Sequence, residues 1–225
     1  MKSFIPQLRE KFEANANADN ARQMKAYMRN RYDFFGIKAP DQRRIRSEFL
    51  KTYGLPSQEY LPALVRELWA QPEREFQHFG MVLCEKYIKK VEPDFVETLE
   101  FMITNKSWWD TVDFIASHLV GDLFKRFPEM IPQYTTKWLD SENMWLQRTA
   151  LLFQLRYKNE TDTKLLFSLI EKLADHQDFF IRKAIGWALR QYSKTDPALV
   201  MDFVKTHKLS SLSQKEALKV IMRSK

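Results

Sequence analysis

The chain has 225 residues, with Lys+Arg 36 against Asp+Glu 29, a formal net charge of +7 and one cysteine. The length suits one sizeable core, and the basic balance favours a polyanionic partner such as nucleic acid. One cysteine excludes an intrachain disulfide, the four histidines lack metal-ligand spacing, and no apolar run approaches about 18 residues. We therefore expect a cytoplasmic protein with no metal, no cofactor and no membrane partner.

Helical signals recur along the whole chain. The five glycines form no Gly-x-Gly-x-x-Gly or phosphate loop, which argues against nucleotide hydrolysis and dinucleotide redox chemistry. Prolines fall between periodic segments, where a proline in the first turn opens a helix, in "GIKAPDQRR", "GLPSQEY", "AQPEREF", "VEPDFV", "RFPEM" and "KTDPALV". No alternation of apolar and polar residues suggests a strand. The pattern predicts an all-α fold.

A repeat becomes visible when successive helical segments are aligned. They are "EREFQHFGMVLCEKY", "SWWDTVDFIASHLVGDLF", "NMWLQRTALLFQLRYK", "DFFIRKAIGWALRQYSK" and a shortened "SQKEALKVIM". In this alignment Trp109, Trp145 and Phe180 stand 36 and 35 residues apart. Such a period with two helices per unit indicates an α-solenoid of about six HEAT-like repeats. We expect one domain, residues 1–225, with a concave basic groove.

The segment "NKSWWDTVD" places two tryptophans beside two aspartates. At about 100° per residue, one arc of this helix faces the core, with Trp108, Val112, Ile115, Leu119 and Leu123. A neighbouring stripe carries Trp109, Asp113, Ala116 and Val120. Trp109 and Asp113 are therefore i and i+4 neighbours beside the core, while Asp110 suits the first turn of a helix.

The repeat extends this stripe to the next two inner helices. The equivalent positions are Trp145, Arg148 or Thr149, and Leu152, followed by Phe180, Lys183 or Ala184, and Trp187. Three consecutive helices would thus present an acid, an arginine and two or three aromatic rings toward one surface. This combination of residue types is a candidate site.

These segments resemble the AlkD-like DNA alkylation repair glycosylases, HEAT-like repeat proteins that remove N-alkylated purines from DNA. The resemblance covers nearly the whole chain, through "MKAYMRNRYDFFGIKAPDQRR", "ELWAQPEREFQ", "KSWWDTVD", "WLQRTALLFQLRYK" and "FFIRKAIGWALRQY". By position it implies Asp113 as the catalytic carboxylate and Arg148 as an arginine that grips the DNA backbone. It implies Trp109 and Trp187 as indoles that contact the substrate, and it suggests Tyr27 as a further DNA contact.

The activity implied is monofunctional hydrolysis of the N-glycosidic bond of 3-methyladenine or 7-methylguanine in double-stranded DNA, by a monomer. A purine alkylated at N3 or N7 is cationic and leaves without protonation, so a carboxylate need only stabilise positive charge on the sugar and orient water. Indole faces attract the same cationic groups. Lys38 near a helix start suits a phosphate, and further basic candidates for holding the duplex are Arg43, Arg44, Lys106, Lys158, Arg182, Lys183 and Arg190.

Other interpretations of the same residues remain open. Trp109 and Trp187 also suit core packing, and Asp113 also suits a solvated helix acid or an ion-pair partner of Arg148. The whole scaffold equally suits a non-catalytic nucleic-acid-binding protein or a protein-interaction solenoid. Cys84, among apolar residues, is predicted to fill space in the core rather than to react.

Overall fold

The computed structural model describes residues 4–223, and these residues confirm the prediction of an all-α fold. Their only β-type pairing is an isolated bridge between Asp33 and Glu73. In chain order the α-helices are α1 (Ile5–Glu13), α2 (Ala18–Tyr27), α3 (Ala39–Tyr53), α4 (Leu61–Ala70), α5 (Arg74–Tyr87), α6 (Val96–Thr104), α7 (Trp109–Phe114), α8 (Gly121–Arg126), α9 (Ile131–Asp140), α10 (Met144–Leu152), α11 (Thr163–Leu173), α12 (Phe179–Tyr192), α13 (Pro197–Thr206) and α14 (Ser211–Leu218).

The chain divides into two compact units between Thr98 and Leu99, inside α6. We call these the N-terminal unit and the C-terminal unit. The single domain and the concave groove expected from the sequence stay predictions. None of the helices in residues 4–223 combines the length and the apolar character needed to cross a bilayer.

Prolines mark helix starts at only some of the predicted places. Pro40 and Pro197 lie in the first turn of α3 and α13, as expected, because their missing N–H is not needed there. Pro93 and Pro128 open short 3-10 turns instead. Pro56 lies outside the helices, between α3 and α4. Proline therefore marked breaks between elements more reliably than it marked helix starts.

In the N-terminal unit, a buried carboxylate organises the loop before α3. Glu75 is 1% exposed and accepts hydrogen bonds from the backbone N–H groups of Phe35, Gly36 and Ile37, at 3.2, 3.0 and 3.2 Å. Gly36 has φ +84, and a Cβ there would lie 2.1 Å from the Asn17 carbonyl oxygen. Only glycine fits this close approach, and Glu75 satisfies the N–H groups that the turn leaves unpaired.

In the C-terminal unit, the predicted core arc of the "SWWDTVD" helix is confirmed. Trp108, Val112, Ile115, Leu119 and Leu123 are all buried. The helix is not a regular α-helix, however, because a π-helical segment, Ile115–Val120, joins α7 to α8. A π segment accommodates an extra residue per turn, yet Leu119 and Leu123, which lie in and after it, are buried as predicted.

Burial of five of the six residues of the π segment corrects the predicted flanking stripe. Ala116 and Val120 were expected to continue the stripe of Trp109 and Asp113, but both are fully buried. Trp145, predicted on the equivalent stripe of α10, is half-buried, and its ring packs against Trp108 at 5.8 Å between centroids. Only Trp109 and Asp113, which precede the π segment, are therefore partly accessible beside the core as predicted.

Candidate active site

Three helices of the C-terminal unit, α7, α10 and α12, carry the candidate site. The Asn143 side chain accepts hydrogen bonds from the N–H groups at the start of α10, and the Asp178 side chain caps α12 at the Phe180 N–H. Short polar side chains at this position satisfy N–H groups that have no partner within the helix. The two caps therefore define where α10 and α12 begin and which side chains of their first turns face the site.

The three helices enclose a cavity of about 370 Å³. Its lining residues are Trp109, Asp113, Arg148, Phe179, Phe180, Lys183, Trp187 and Arg190. The structure thus brings together six of the predicted contact residues, namely Trp109, Asp113, Arg148, Lys183, Trp187 and Arg190. The volume lies in the range of about 300–1,000 Å³ that is usual for small-molecule sites, so the cavity admits part of a nucleotide.

Asp113 and Arg148, which both line this cavity, form a two-pronged ion pair. Arg148 Nε donates to Asp113 Oδ1 at 2.7 Å, and Nη2 donates to Oδ2 at 2.8 Å. A third donor, Nη1, binds the carbonyl oxygen of Phe180, so the guanidinium also joins α10 to α12. The Arg148 side chain is 4% exposed and that of Asp113 is 15% exposed. Asp113 is therefore the more accessible member of the pair.

The surroundings of Asp113 raise its pKa above the ordinary value. Burial, which disfavours the charged form, is the largest cause, and the charge of Asp110 acts in the same direction. The hydrogen bonds and charge of Arg148 oppose this rise without cancelling it. Asp113 is thus a carboxylate whose charge is poorly solvated, and such a group interacts strongly with any cation that approaches it.

Aromatic rings form the other walls of the cavity. Trp109 and Trp187 are both half-buried, with part of each side chain accessible from the cavity. Phe179 is 54% exposed, although phenylalanine is among the residue types most often buried. Beneath them Phe180 packs against Trp108 and Trp145, at 5.0 and 5.1 Å between ring centroids. The cavity is therefore lined with ring faces around a single carboxylate.

Two basic side chains at the cavity share one acidic partner. Lys183 Nζ and Arg190 Nη1, both on α12, donate to the two carboxylate oxygens of Glu216 on α14. Burial alone would raise the pKa of Glu216, but the hydrogen bond from Lys183 and the charges of Arg190, Lys183 and Lys219 lower it overall. Glu216 is therefore ionised at neutral pH and holds both cations.

Three other predicted contacts, Tyr27, Lys38 and Arg43, lie in the N-terminal unit. Tyr27, at the end of α2, is 71% exposed. Lys38 is the exposed N-cap residue of α3, as its place near a helix start suggested, and Arg43 is exposed on the same helix. Their roles stay predictions. Cys84 is fully buried, which raises its thiol pKa and agrees with the predicted filling role.

Sequence reasoning missed two residues of the site. Phe179 was counted in the repeat pattern but not singled out, although a "DFF" start with an N-cap aspartate places its ring on the first turn. Glu216 has no local signal, because its two partners lie 33 and 26 residues away in the chain. In residues 4–223, no group of three or more His, Cys, Asp or Glu side chains is arranged to hold a metal ion.

Comparison with known families assigns the chain. Residues 8–221 match the family model described as DNA alkylation repair enzyme. The chain belongs to this family. The resemblance noted in the sequence is thereby confirmed at the level of the family. No curated protein gives a significant match to the chain.

Solved structures of similar proteins support the family and the fold. A protein described as a predicted DNA alkylation repair enzyme from Enterococcus faecalis has 32% identity and a TM-score of 0.84, and the match covers 91% of this chain and 96% of that one. AlkD2 from Streptococcus mutans has 22% identity and a TM-score of 0.61, covering 88% and 96%. The protein smu.31 from Streptococcus mutans UA159 has 21% identity and a TM-score of 0.60, covering 79% and 96%. These likenesses confirm the predicted helical-repeat fold.

Proposed function

We propose that this member of the family is a monofunctional DNA glycosylase that hydrolyses the N-glycosidic bond of cationic N3- or N7-alkylated purines in double-stranded DNA. The observation that carries the proposal is the position of Asp113, a partly accessible carboxylate at a cavity walled by the rings of Trp109, Trp187 and Phe179. A carboxylate among aromatic faces suits a substrate with positive charge. We propose that the enzyme acts as a monomer and without a cofactor.

In the proposed reaction, Asp113 acts on the sugar rather than on the base. An alkylated purine carries a positive charge and leaves as a neutral base, so the positive charge moves to the deoxyribose as the bond breaks. The Asp113 carboxylate stabilises that charge and orients a water molecule toward the sugar carbon. The proton released by the water goes to the carboxylate or to solvent. No general acid is required.

The indoles supply the selectivity for charge. Each ring face attracts a cation by about 0.5–2 kcal/mol and excludes water that would screen Asp113. We propose that contacts to the sugar and backbone, together with the instability of the lesion, decide which bases are released. Bulky cationic adducts are then tolerated, whereas neutral lesions such as hypoxanthine and uracil are poor substrates. Efficient release of either neutral base would refute this mechanism.

The position of Arg148 does not suit the contact with the DNA backbone that the resemblance implies. Its guanidinium points at Asp113 and the Phe180 carbonyl, and a phosphate would have to reach a side chain that is 4% exposed. The contacts of the described structure instead support a positioning role, in which Arg148 orients the Asp113 carboxylate. Lys183 and Arg190, which line the same cavity, are more accessible candidates for a phosphate.

The decisive experiment is single-turnover release of 7-methylguanine and 3-methyladenine from alkylated duplex DNA, corrected for spontaneous loss. We expect Asp113→Asn to bind the duplex like wild type but to release base at least about 100-fold more slowly, the cost typical of removing one electrostatic stabiliser. The matched control is Asp110→Asn, which removes the same charge three residues earlier on α7 and does not line the cavity.

Three results would contradict the proposal. If wild type binds the duplex but releases no base, the chain is a non-catalytic nucleic-acid-binding protein. If it neither binds nor releases, the protein-interaction scaffold becomes the better interpretation. Equal loss of activity in Asp113→Asn and Asp110→Asn would show that net charge, rather than the position of one carboxylate, governs the rate.

A further inference from the structure

The last helix, α14, packs unusually closely on α12. At Gly186, in the middle of α12, an added Cβ would lie 2.6 Å from the Cβ of Glu216 and 2.8 Å from the carbonyl oxygen of Ser213. The Ser213 hydroxyl also donates to the carbonyl oxygen of Arg182 at 2.9 Å. Glycine at this position lets the two backbones approach, and the hydroxyl contact holds them there. Glu216 is thereby brought against the face of α12 that borders the candidate site.

Glu216 is placed between two basic side chains that are otherwise far apart on their helix. Lys183 and Arg190 are seven residues apart, which separates their backbones by about 10 Å along the helix axis. The Glu216 carboxylate binds one cation through each oxygen and is itself only 8% exposed, whereas Lys183 and Arg190 are 38% and 24% exposed. A buried anion therefore draws two partly exposed cations together at the cavity.

This contact also sets the charge of the site. Asp113 and Arg148 cancel one another, and Glu216 cancels one of the two charges of Lys183 and Arg190, which leaves a net charge of +1. A cation already paired with a carboxylate contributes less to phosphate binding, because binding DNA then requires that the existing pair be exchanged or shared. The pairing also limits the range of positions that each flexible side chain adopts.

We propose that Glu216 is a positioning residue that holds Lys183 and Arg190 at the cavity, weakens their attraction for undamaged DNA, and directs them to the phosphates beside a bound lesion. Only the last part of this proposal, in which Lys183 and Arg190 are directed to the phosphates beside a lesion, rests on the proposed glycosylase function. The effect on undamaged DNA concerns binding alone. Glu216 therefore contributes to discrimination, because it lowers the affinity for undamaged duplex while it places the two cations for the phosphates beside a bound lesion.

The test compares wild type with Glu216→Gln, Glu216→Asp and the control Glu160→Gln. Glu160 is 72% exposed and pairs with Lys125, which does not line the cavity, so its substitution changes the net charge equally. The first measurement is the affinity for an undamaged oligonucleotide duplex over a series of NaCl concentrations. The second is single-turnover base release from alkylated duplex at saturating enzyme. Thermal unfolding of each variant is recorded in parallel.

We expect Glu216→Gln to bind undamaged duplex about 3–10-fold more tightly than Glu160→Gln, with a plot of log K against log salt that is steeper by about one to two units. Base release by Glu216→Gln should become about 3–10-fold slower, although binding is tighter. A merely structural role would weaken both together. Glu216→Asp keeps the charge but retracts the carboxylate, so its affinity should match wild type while its base release slows.

The proposal is overturned if Glu216→Gln shows the affinity and salt slope of Glu160→Gln, or binds more weakly than wild type. It is also overturned if Glu216→Asp releases base at the wild-type rate, and this variant decides the matter should Glu216→Gln fail to fold. If wild type releases no base at all, the glycosylase function fails. The affinity measurements then still decide whether Glu216 restrains the two cations.

Discussion

Asp113 and Arg148 are 35 residues apart in the chain, yet they form one two-pronged ion pair, with hydrogen bonds of 2.7 and 2.8 Å. The pair links α7 to α10, and the third bond of Arg148, to the Phe180 carbonyl, extends the link to α12. The same carboxylate that we propose as catalytic is therefore also part of what holds the three helices together. Substitutions at either residue affect folding stability as well as chemistry.

Removing one partner should destabilise the protein more than removing both. Asp113→Asn leaves a buried guanidinium without its counter-charge, at a cost of about 1–3 kcal/mol, since the amide oxygen still accepts one hydrogen bond. Adding Arg148→Gln should recover part of this loss. Urea unfolding of the two single variants and the double variant measures the coupling. Strictly additive losses would mean that the ion pair contributes nothing in solution.

The rate of base release should depend on pH through Asp113. The proposed reaction needs the ionised carboxylate, and burial raises its pKa above the ordinary value of 3.8. The rate should therefore fall as pH falls through this raised pKa, so that the midpoint of the acid limb lies above 3.8. The same raised pKa means that the contribution of Asp113 to stability is present below the unfolded pKa and lost as pH rises through the folded one.

A pH profile of single-turnover release, corrected for spontaneous loss, tests this directly. The acid limb should be absent from the residual activity of Asp113→Asn. In Asp110→Asn it should move to lower pH, because the charge of Asp110 contributes to the raised pKa of Asp113. If the acid limb of the pH profile is unchanged in both variants, the group that titrates there is not Asp113.

The two indoles should matter for cationic substrates specifically. Trp109→Ala and Trp187→Ala should each slow release of 7-methylguanine by about 2–30-fold, which corresponds to the loss of about 0.5–2 kcal/mol of cation–π attraction. Trp→Phe at the same positions keeps a ring face and should lose less. Residual release of a neutral lesion should be less sensitive to all four variants, because the rings then face positive charge only on the sugar. An equal loss on both substrates would indicate that the rings act only by packing.

In the N-terminal unit, Glu75 should be important for stability rather than for activity. Glu75→Ala leaves the N–H groups of Phe35, Gly36 and Ile37 without their acceptor, at a cost of about 1–3 kcal/mol for each buried group left unsatisfied. Glu75→Gln keeps one acceptor oxygen and should lose less. The control, Glu85→Ala, changes an exposed residue of α5 and should stay within about 0.5 kcal/mol. Urea unfolding gives all three values.

The spacing of residue types along the chain predicted much of the fold and part of the candidate site. The helical class and the core arc of Trp108, Val112 and Ile115 follow from side-chain periodicity, which depends on near neighbours in the chain. For the same reason Trp109 and Asp113 were correctly placed together on one turn of one helix. The polar residues that begin two of the repeats, Asn143 and Asp178, are the N-caps of α10 and α12.

The tertiary structure determined which side chains contact one another, how deeply they are buried and how their pKa values shift. Periodicity could not show that five of the six residues of the π segment, Ile115–Val120, are buried, because this depends on the surrounding packing, and so Ala116 and Val120 were assigned to the flanking stripe. Nor could the sequence select Glu216 as the partner of Lys183 and Arg190, since any of 29 acidic residues was available to 36 basic ones. Pairing, burial and pKa depend on distances between residues remote in the chain, and only the packed helices determine those distances.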